Sequence, residues 1–162
     1  MEIIDDFPEF SFVAGGYNMW SPAGRTITYD AKRLGSNTGK IGLIHELGHA
    51  LLGHRIYKYD MELLAMELDA WDVARQLAPR YRLRINESHI AQCIATYDEW
   101  LSKRATCPDC RNFSLQKGRD QYQCFACGAS WQVNWRKDRR VKRTAIDRPK
   151  YTCLATSFTT ID

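Results

Sequence analysis

Three helical stripes and one short alternating run organise the apolar positions of this chain. Thr26-Ile27-Thr28-Tyr29 alternates and is rich in β-branched residues, which predicts a short strand. Residues 1–24 are mixed, with turns marked by Gly15-Gly16 and Ser21-Pro22. Residues 35–40 read as a loop in which Ser36, Asn37 or Thr38 caps the next helix. That loop is no phosphate-binding P-loop, because it is one residue short and Ile41 stands where a hydroxyl is needed. A first helix is predicted over residues 39–52, with Gly53 as its stop. A second is predicted from Asp60, a candidate N-cap, to just before Pro79. Its apolar stripe is Leu63, Leu64, Ala70, Trp71, Ala74, Leu77 and Ala78. A third begins near Asn86 or Ser88 and carries Ile90, Cys93, Ile94, Tyr97, Trp100 and Leu101 on one face.

From Thr106 onward the helical stripes give way to cysteines, aromatics and basic residues. Tyr122, Trp131 and Val133 alternate there as strands of a small ribbon should. The expected fold class is therefore α+β. The expected organisation is a main domain over 1–104, a cysteine module over 105–135 and a basic tail over 136–162. The basic run 136–143 is expected to be a helix or a disordered arm.

Composition sharpens this division. Of 162 residues, 44% are hydrophobic and 26% charged, which is ordinary for a globular protein and excludes collagen-like, coiled-coil and wholly disordered classes. No apolar run approaches the ~18 residues of a membrane span. The first twelve residues lack the basic start of a secretion signal. A cytoplasmic location is the expectation. The net charge of +4 conceals a split: residues 1–106 carry 12 basic and 14 acidic side chains, and residues 107–162 carry 11 and 5. The last third is thus the basic one, and DNA or RNA is its first candidate partner.

Chemistry concentrates in His45-Glu46-Leu47-Gly48-His49. Residues four apart on a helix share a face, so both imidazoles can reach one zinc ion. Glu46, about 100° round from His45, falls beside the ion, where it can take a proton from activated water. The surrounding helix is otherwise uncharged from Ile41 to Leu52, and a buried glutamate beside two buried histidines is costly without a metal.

A third ligand is then required. A metzincin would need Gly and His where this chain has Leu52 and Arg55. His54 follows the glycine stop and reads as a residue at the edge of the site. Of the carboxylates Glu62, Glu67, Asp69 and Asp72, only Glu67 lies within the apolar stripe of the second helix; the others fall about 140–160° away at 100° per residue. His45, His49 and Glu67 would complete the two-histidine, one-glutamate set of thermolysin-type sites, the alternative for Glu67 being a buried ion pair with an arginine. An oxyanion donor is open among His54, Tyr57, Tyr59, Tyr81 and His89.

Residues 27–77 resemble the ImmA/IrrE family of gluzincin-type metallopeptidases. The resemblance rests on the strand, on Ile44-His45-Glu46-Leu47-Gly48-His49-Ala50-Leu51-Leu52, and on Glu67-Leu68-Asp69-Ala70-Trp71-Asp72-Val73-Ala74, which is similar to a Glu-x-x-Ala-Asn-x-Phe-Ala motif. It covers about a third of the chain and implies a small zincin-like domain that hydrolyses peptide bonds in a protein substrate, often within a regulatory protein. It also implies Glu67 as third ligand. Trp71 departs from the family's Asn or Asp, which orients a histidine, and Asp72 is the candidate substitute. SprT-like proteins are similar in architecture, joining such a domain to a zinc ribbon, but this chain lacks their Gly-His-Gly ligand after the helix.

Cys107-Pro-Asp-Cys110 and Cys124-Phe-Ala-Cys127-Gly128, thirteen residues apart, have zinc-ribbon spacing. Four thiolates close a tetrahedral structural site, and in a module this small the metal supplies much of the folding energy. A redox dithiol is the lesser alternative. The expected cofactors are two zinc ions, one catalytic and one structural. Cys93 reads as core, and Cys153 is left over. Nine basic residues between Arg111 and Arg143 surround Tyr122, Phe125, Trp131 and Trp135, a combination able to meet phosphates and stack bases. The expected function is a zinc metallopeptidase acting on a regulatory or nucleic-acid-associated protein. The alternative is a non-enzymatic nucleic-acid-binding or regulatory protein built on a zincin scaffold.

Overall fold

The computed structural model describes residues 2–137 and 139–148. The chain is α+β, with four α-helices and two small sheets among the described residues, and falls into two compact units that divide between Thr96 and Tyr97. No helix among the described residues is long and apolar enough to cross a membrane.

In the first unit a short helix α1 (Glu2–Asp5) precedes a three-stranded sheet of β1 (Ser11–Gly15), β2 (Met19–Ser21) and β3 (Thr26–Asp30). The order is β1-β3-β2, with β1 parallel and β2 antiparallel to the central β3. Ile27, fully buried, faces Phe12 on one side and Trp20 on the other. Only β3 is legible as a strand in sequence; β1 and β2 form because β3 offers two unpaired edges.

Helix α2 (Asn37–Leu51) starts at Ser36, whose hydroxyl accepts the Gly39 N–H at 3.0 Å. It stops at Gly53, which adopts a left-handed φ of 66°. Helix α3 (Asp60–Leu77) begins one residue earlier than a cap at Asp60 requires. Tyr59 is its N-cap, and the Glu62 carboxylate accepts the N–H groups of Lys58 and Tyr59 at 2.7 and 3.2 Å. Helix α4 (Glu87–Ala105) is capped by Asn86, which accepts the His89 N–H at 3.1 Å. Ile41, Leu43, Ile44 and Leu47 of α2 pack with Trp71 and Ala74 of α3, Ile90 of α4 and Ile27 of β3 in one core. Burying each such side chain contributes about 1.5–3 kcal/mol.

The second unit holds an antiparallel sheet in the order β4 (Leu115–Gly118), β5 (Gln121–Gln123), β6 (Ser130–Val133) and β7 (Arg143–Asp147). Tyr122, Trp131 and Val133 turn inward with Cys107, Cys124 and Ala129. Arg104 is wholly buried, yet its guanidinium pairs with Asp120 at 2.9 Å and donates to the Asn134 carbonyl at 2.6 Å. The basic run expected to be a helix or a disordered arm forms no helix among its described residues. Arg143 opens β7, which pairs with β6, and the described residues before it lie outside helix and strand. Its five side chains are all exposed, so pairing rather than amphipathicity makes it a strand. The tail beyond Arg148, with Cys153, lies outside the described residues.

Helices α2 and α3 cross at Gly48. A Cβ there would meet the Ala70 carbonyl oxygen at 2.6 Å and its Cα at 3.1 Å. Helix propensity favours Gly48→Ala by about 1 kcal/mol, but overpacking costs about 1–3 kcal/mol. The variant should melt several degrees lower, read by circular dichroism. An unchanged or raised Tm would contradict the close crossing.

Candidate metal centres

The α2–α3 crossing brings His45, His49 and Glu67 together. His45 Nε2 lies 3.3 Å from Glu67 Oε2, His49 Nε2 lies 3.7 Å from Glu67 Oε1, and the two Nε2 atoms are 3.2 Å apart. All three residues are buried. A tetrahedral ion at ~2.0–2.1 Å from nitrogen and oxygen needs ligand atoms about 3.3–3.4 Å apart. The three edges bracket that value, so this donor set fits a metal ion. Its carboxylate and imidazole donors suit zinc and other divalent transition metals.

Electrostatics favour ligation. Burial and the neighbouring His45 push His49 down to about 4, against the pull of Glu67, so His49 is neutral at pH 7 and ready to donate a lone pair. Glu46 sits half-buried beside the set, off the ligand edges. Burial raises its carboxyl above the usual range, countered by His45 and by the Trp20 backbone N–H, which donates to Glu46 Oε2 at 2.8 Å. A base held above the ordinary carboxylate range is better matched to neutral-pH proton transfer.

The residues around the ligands were only partly legible. His54 Nδ1 lies 2.8 Å from His49 Nδ1, so the outer nitrogen of that ligand is held by His54. The Trp20 indole N–H donates to the His54 carbonyl at 2.8 Å, tying β2 to this end of the site. Trp71 lies over His45, ring centroids 4.1 Å apart at 31°. The Nδ1 of His45 is buried without a hydrogen-bond partner among the described residues. Asp72 does not substitute for the missing acceptor, because it is exposed and pairs with Arg75 at 2.6 Å. Glu62 is spent on its helix cap, and Asp69 is exposed. Of the five candidate oxyanion donors, His54 is bonded to a ligand. The Tyr81 hydroxyl donates instead to Asp6 at 2.8 Å, and His89 meets Trp71 edge-on and Cys93 Sγ at 3.7 Å.

In the second unit Cys107, Cys110, Cys124 and Cys127 form a four-sulfur cluster whose ligand atoms all lie within 4.8 Å of one another. Cys107 Sγ is 3.6 Å from Cys127 Sγ, and Cys110 Sγ is 3.4 Å from Cys124 Sγ. Zinc–sulfur bonds of ~2.3 Å imply edges of about 3.8 Å, close to these values. Burial works against the Cys124 thiolate, but the Cys127 N–H, the Ser114 hydroxyl and Cys110 bring it down to about 6. Cys127 is held up to about 12: the Ala129 N–H favours its thiolate, but burial and the three other cysteines outweigh it. One thiolate thus suppresses its neighbours, and a cation releases all four from that competition.

Compared with family models, curated proteins and solved structures, the chain matches none. The two clusters therefore stand on their own geometry.

In metal-free protein His49 should protonate only near pH 4, visible in imidazole NMR. The unfolded chain binds the proton from about pH 6.5, so the His49 contribution to stability is present above that value and is lost as pH falls towards 4. Glu46, shifted upward, opposes this where the ranges overlap. His49→Gln should flatten the apoprotein's stability slope between pH 6.5 and 4, measured by urea unfolding. An unaltered slope would contradict a neutral, buried His49.

Proposed function

We propose that this chain is a zinc-dependent metallopeptidase that hydrolyses peptide bonds in a protein substrate. In this reading its first unit is a zincin-like domain of ImmA/IrrE type, and its second carries a structural zinc ribbon. The observation that supports it best is the convergence of His45, His49 and Glu67 at tetrahedral spacing, with a fourth polar group, Glu46, beside them and not among them. A purely structural site has no use for that extra carboxylate. Reduced thiols in a four-cysteine centre suit a cytoplasmic location.

Zinc bound by the three ligands would polarise the scissile carbonyl and make water acidic enough to attack near neutral pH. Glu46 accepts the proton from the attacking water and passes it to the leaving amine nitrogen. The Trp20 N–H occupies Oε2 of Glu46 and leaves Oε1 for this exchange. His54 fixes the ring of His49. Trp71 fixes His45 by stacking alone.

One observation favours a second reading. The unpartnered Nδ1 of His45 lacks the acceptor that usually raises a ligand's basicity, which suits a non-enzymatic regulator on a zincin scaffold.

Zinc per chain in protein purified without added metal tests both. The peptidase reading predicts two for wild type, about one for Glu67→Ala, and two for Glu46→Gln with cleavage of a quenched peptide library reduced about 10²–10⁴-fold. One zinc in both wild type and Glu67→Ala, or wild-type cleavage by Glu46→Gln, would contradict it.

A further inference from the structure

The four-stranded sheet has one face committed to the core of the second unit and one facing outward. Tyr122 and Trp131, which sequence alone offers as stacking residues, belong to the inner face. Both are buried, and their rings stack on each other at 5.6 Å and 9°. They are unavailable to a ligand.

The outer face has a different character. Strand register pairs Leu115 with Gln123, Gln121 with Gln132, and Gln132 with Thr144, so an aliphatic group and several amides share it. Lys117 reaches the same side, donating from Nζ to Gln123 Oε1 at 2.9 Å. Beside this corner the second cysteine turn presents Phe125, 72% exposed, opposite Leu115, 70% exposed. Between them runs an open groove of about 550 Å³, which Gln116 and Lys117 also line and which no carboxylate among the described residues lines. Arg119 continues the basic edge and lies over Trp135, a second exposed aromatic, at 5.9 Å.

The described acids of residues 107–148 do not line the groove: Asp120 is paired with Arg104 at 2.9 Å and Asp109 with Arg148 at 3.4 Å, while Asp147 lies on β7 at the far edge. Residues 107–162 carry a basic surplus of 11 against 5, and among the described residues no acid offsets it at the groove.

We propose that this groove binds single-stranded nucleic acid, with Phe125 stacking on an unpaired base and Lys117 and Arg119 meeting phosphates. The amide of Gln123 can bond a base edge. An exposed phenyl ring in a shallow groove can use a base only when its face is free, which excludes duplex. An acidic peptide would need the cations but neither the ring nor the amide. The inference does not depend on the peptidase reading, since it uses no residue of the His45–Glu67 centre.

Fluorescence anisotropy of labelled dT15 with the full-length, zinc-loaded chain from 50 to 300 mM NaCl tests it. Stacking worth about 1–3 kcal/mol per base predicts that Phe125→Ala weakens binding about 5- to 150-fold, while Phe125→Trp preserves it. Lys117→Gln should reduce the slope of log affinity against log salt by about 0.7. Unchanged zinc content in each variant shows that the module is still folded. Absence of dT15 binding at 50 mM NaCl would overturn the proposal. So would wild-type affinity in zinc-replete Phe125→Ala, equal affinity for a duplex, or displacement by polyglutamate as readily as by unlabelled dT15.

Discussion

The first unit is governed by one demand: two imidazoles and a carboxylate must share a buried volume at the edge of the apolar core, with Glu46 and His54 beside them. Isolated, such groups would cost several kcal/mol in desolvation. Held 3.2–3.7 Å apart, they form a cage whose unfavourable charge and lone-pair crowding a divalent ion would relieve. The close crossing of α2 and α3 follows from this demand. Glu67 can reach His45 and His49 only if the helices approach closely, and Gly48 against Ala70 permits it.

The rest of the unit supports that crossing. Ile41, Leu43, Ile44 and Leu47 bury the other sides of α2, and Ile27 of β3 packs in the same core. Strand β2 contributes twice through one residue: the Trp20 backbone N–H holds Glu46, and its indole holds the carbonyl of His54. His54 in turn bonds His49. Strand, proposed base and ligand are thus linked through a short chain of hydrogen bonds. His45 stands outside it, packed against Trp71. The asymmetry between the two histidines is the feature that distinguishes the two functional readings.

Periodic signals made much of this legible in sequence. The Ser36 cap, the Gly53 stop and the apolar stripes located α2, α3 and α4, and the same stripe singled out Glu67 from Glu62, Asp69 and Asp72. What was illegible depends on distant partners. β1 and β2 are short and have no buried residue and no regular alternation, so only pairing with β3 reveals them. β7 has no buried side chain at all. The bond from Trp20 to Glu46 spans 26 residues, and no local pattern announces it. Asp72 was a reasonable substitute for the residue that Trp71 replaces until Arg75, one turn away, proved to hold it outside. Among the ribbon aromatics, alternation identified Tyr122 and Trp131 as strand residues, but only the fold separates them from the exposed Phe125 and Trp135.

The central claim is that His45, His49 and Glu67 ligate one zinc ion while Glu46 stays off it. An anomalous difference map at the zinc edge, from crystals of the zinc-loaded protein, tests this most directly. The account predicts a peak ~2.0–2.2 Å from both Nε2 atoms and a Glu67 oxygen, with a fourth position open to water on the side of Glu46. No peak there, or a peak with Glu46 as a direct ligand closing the fourth position, would contradict it.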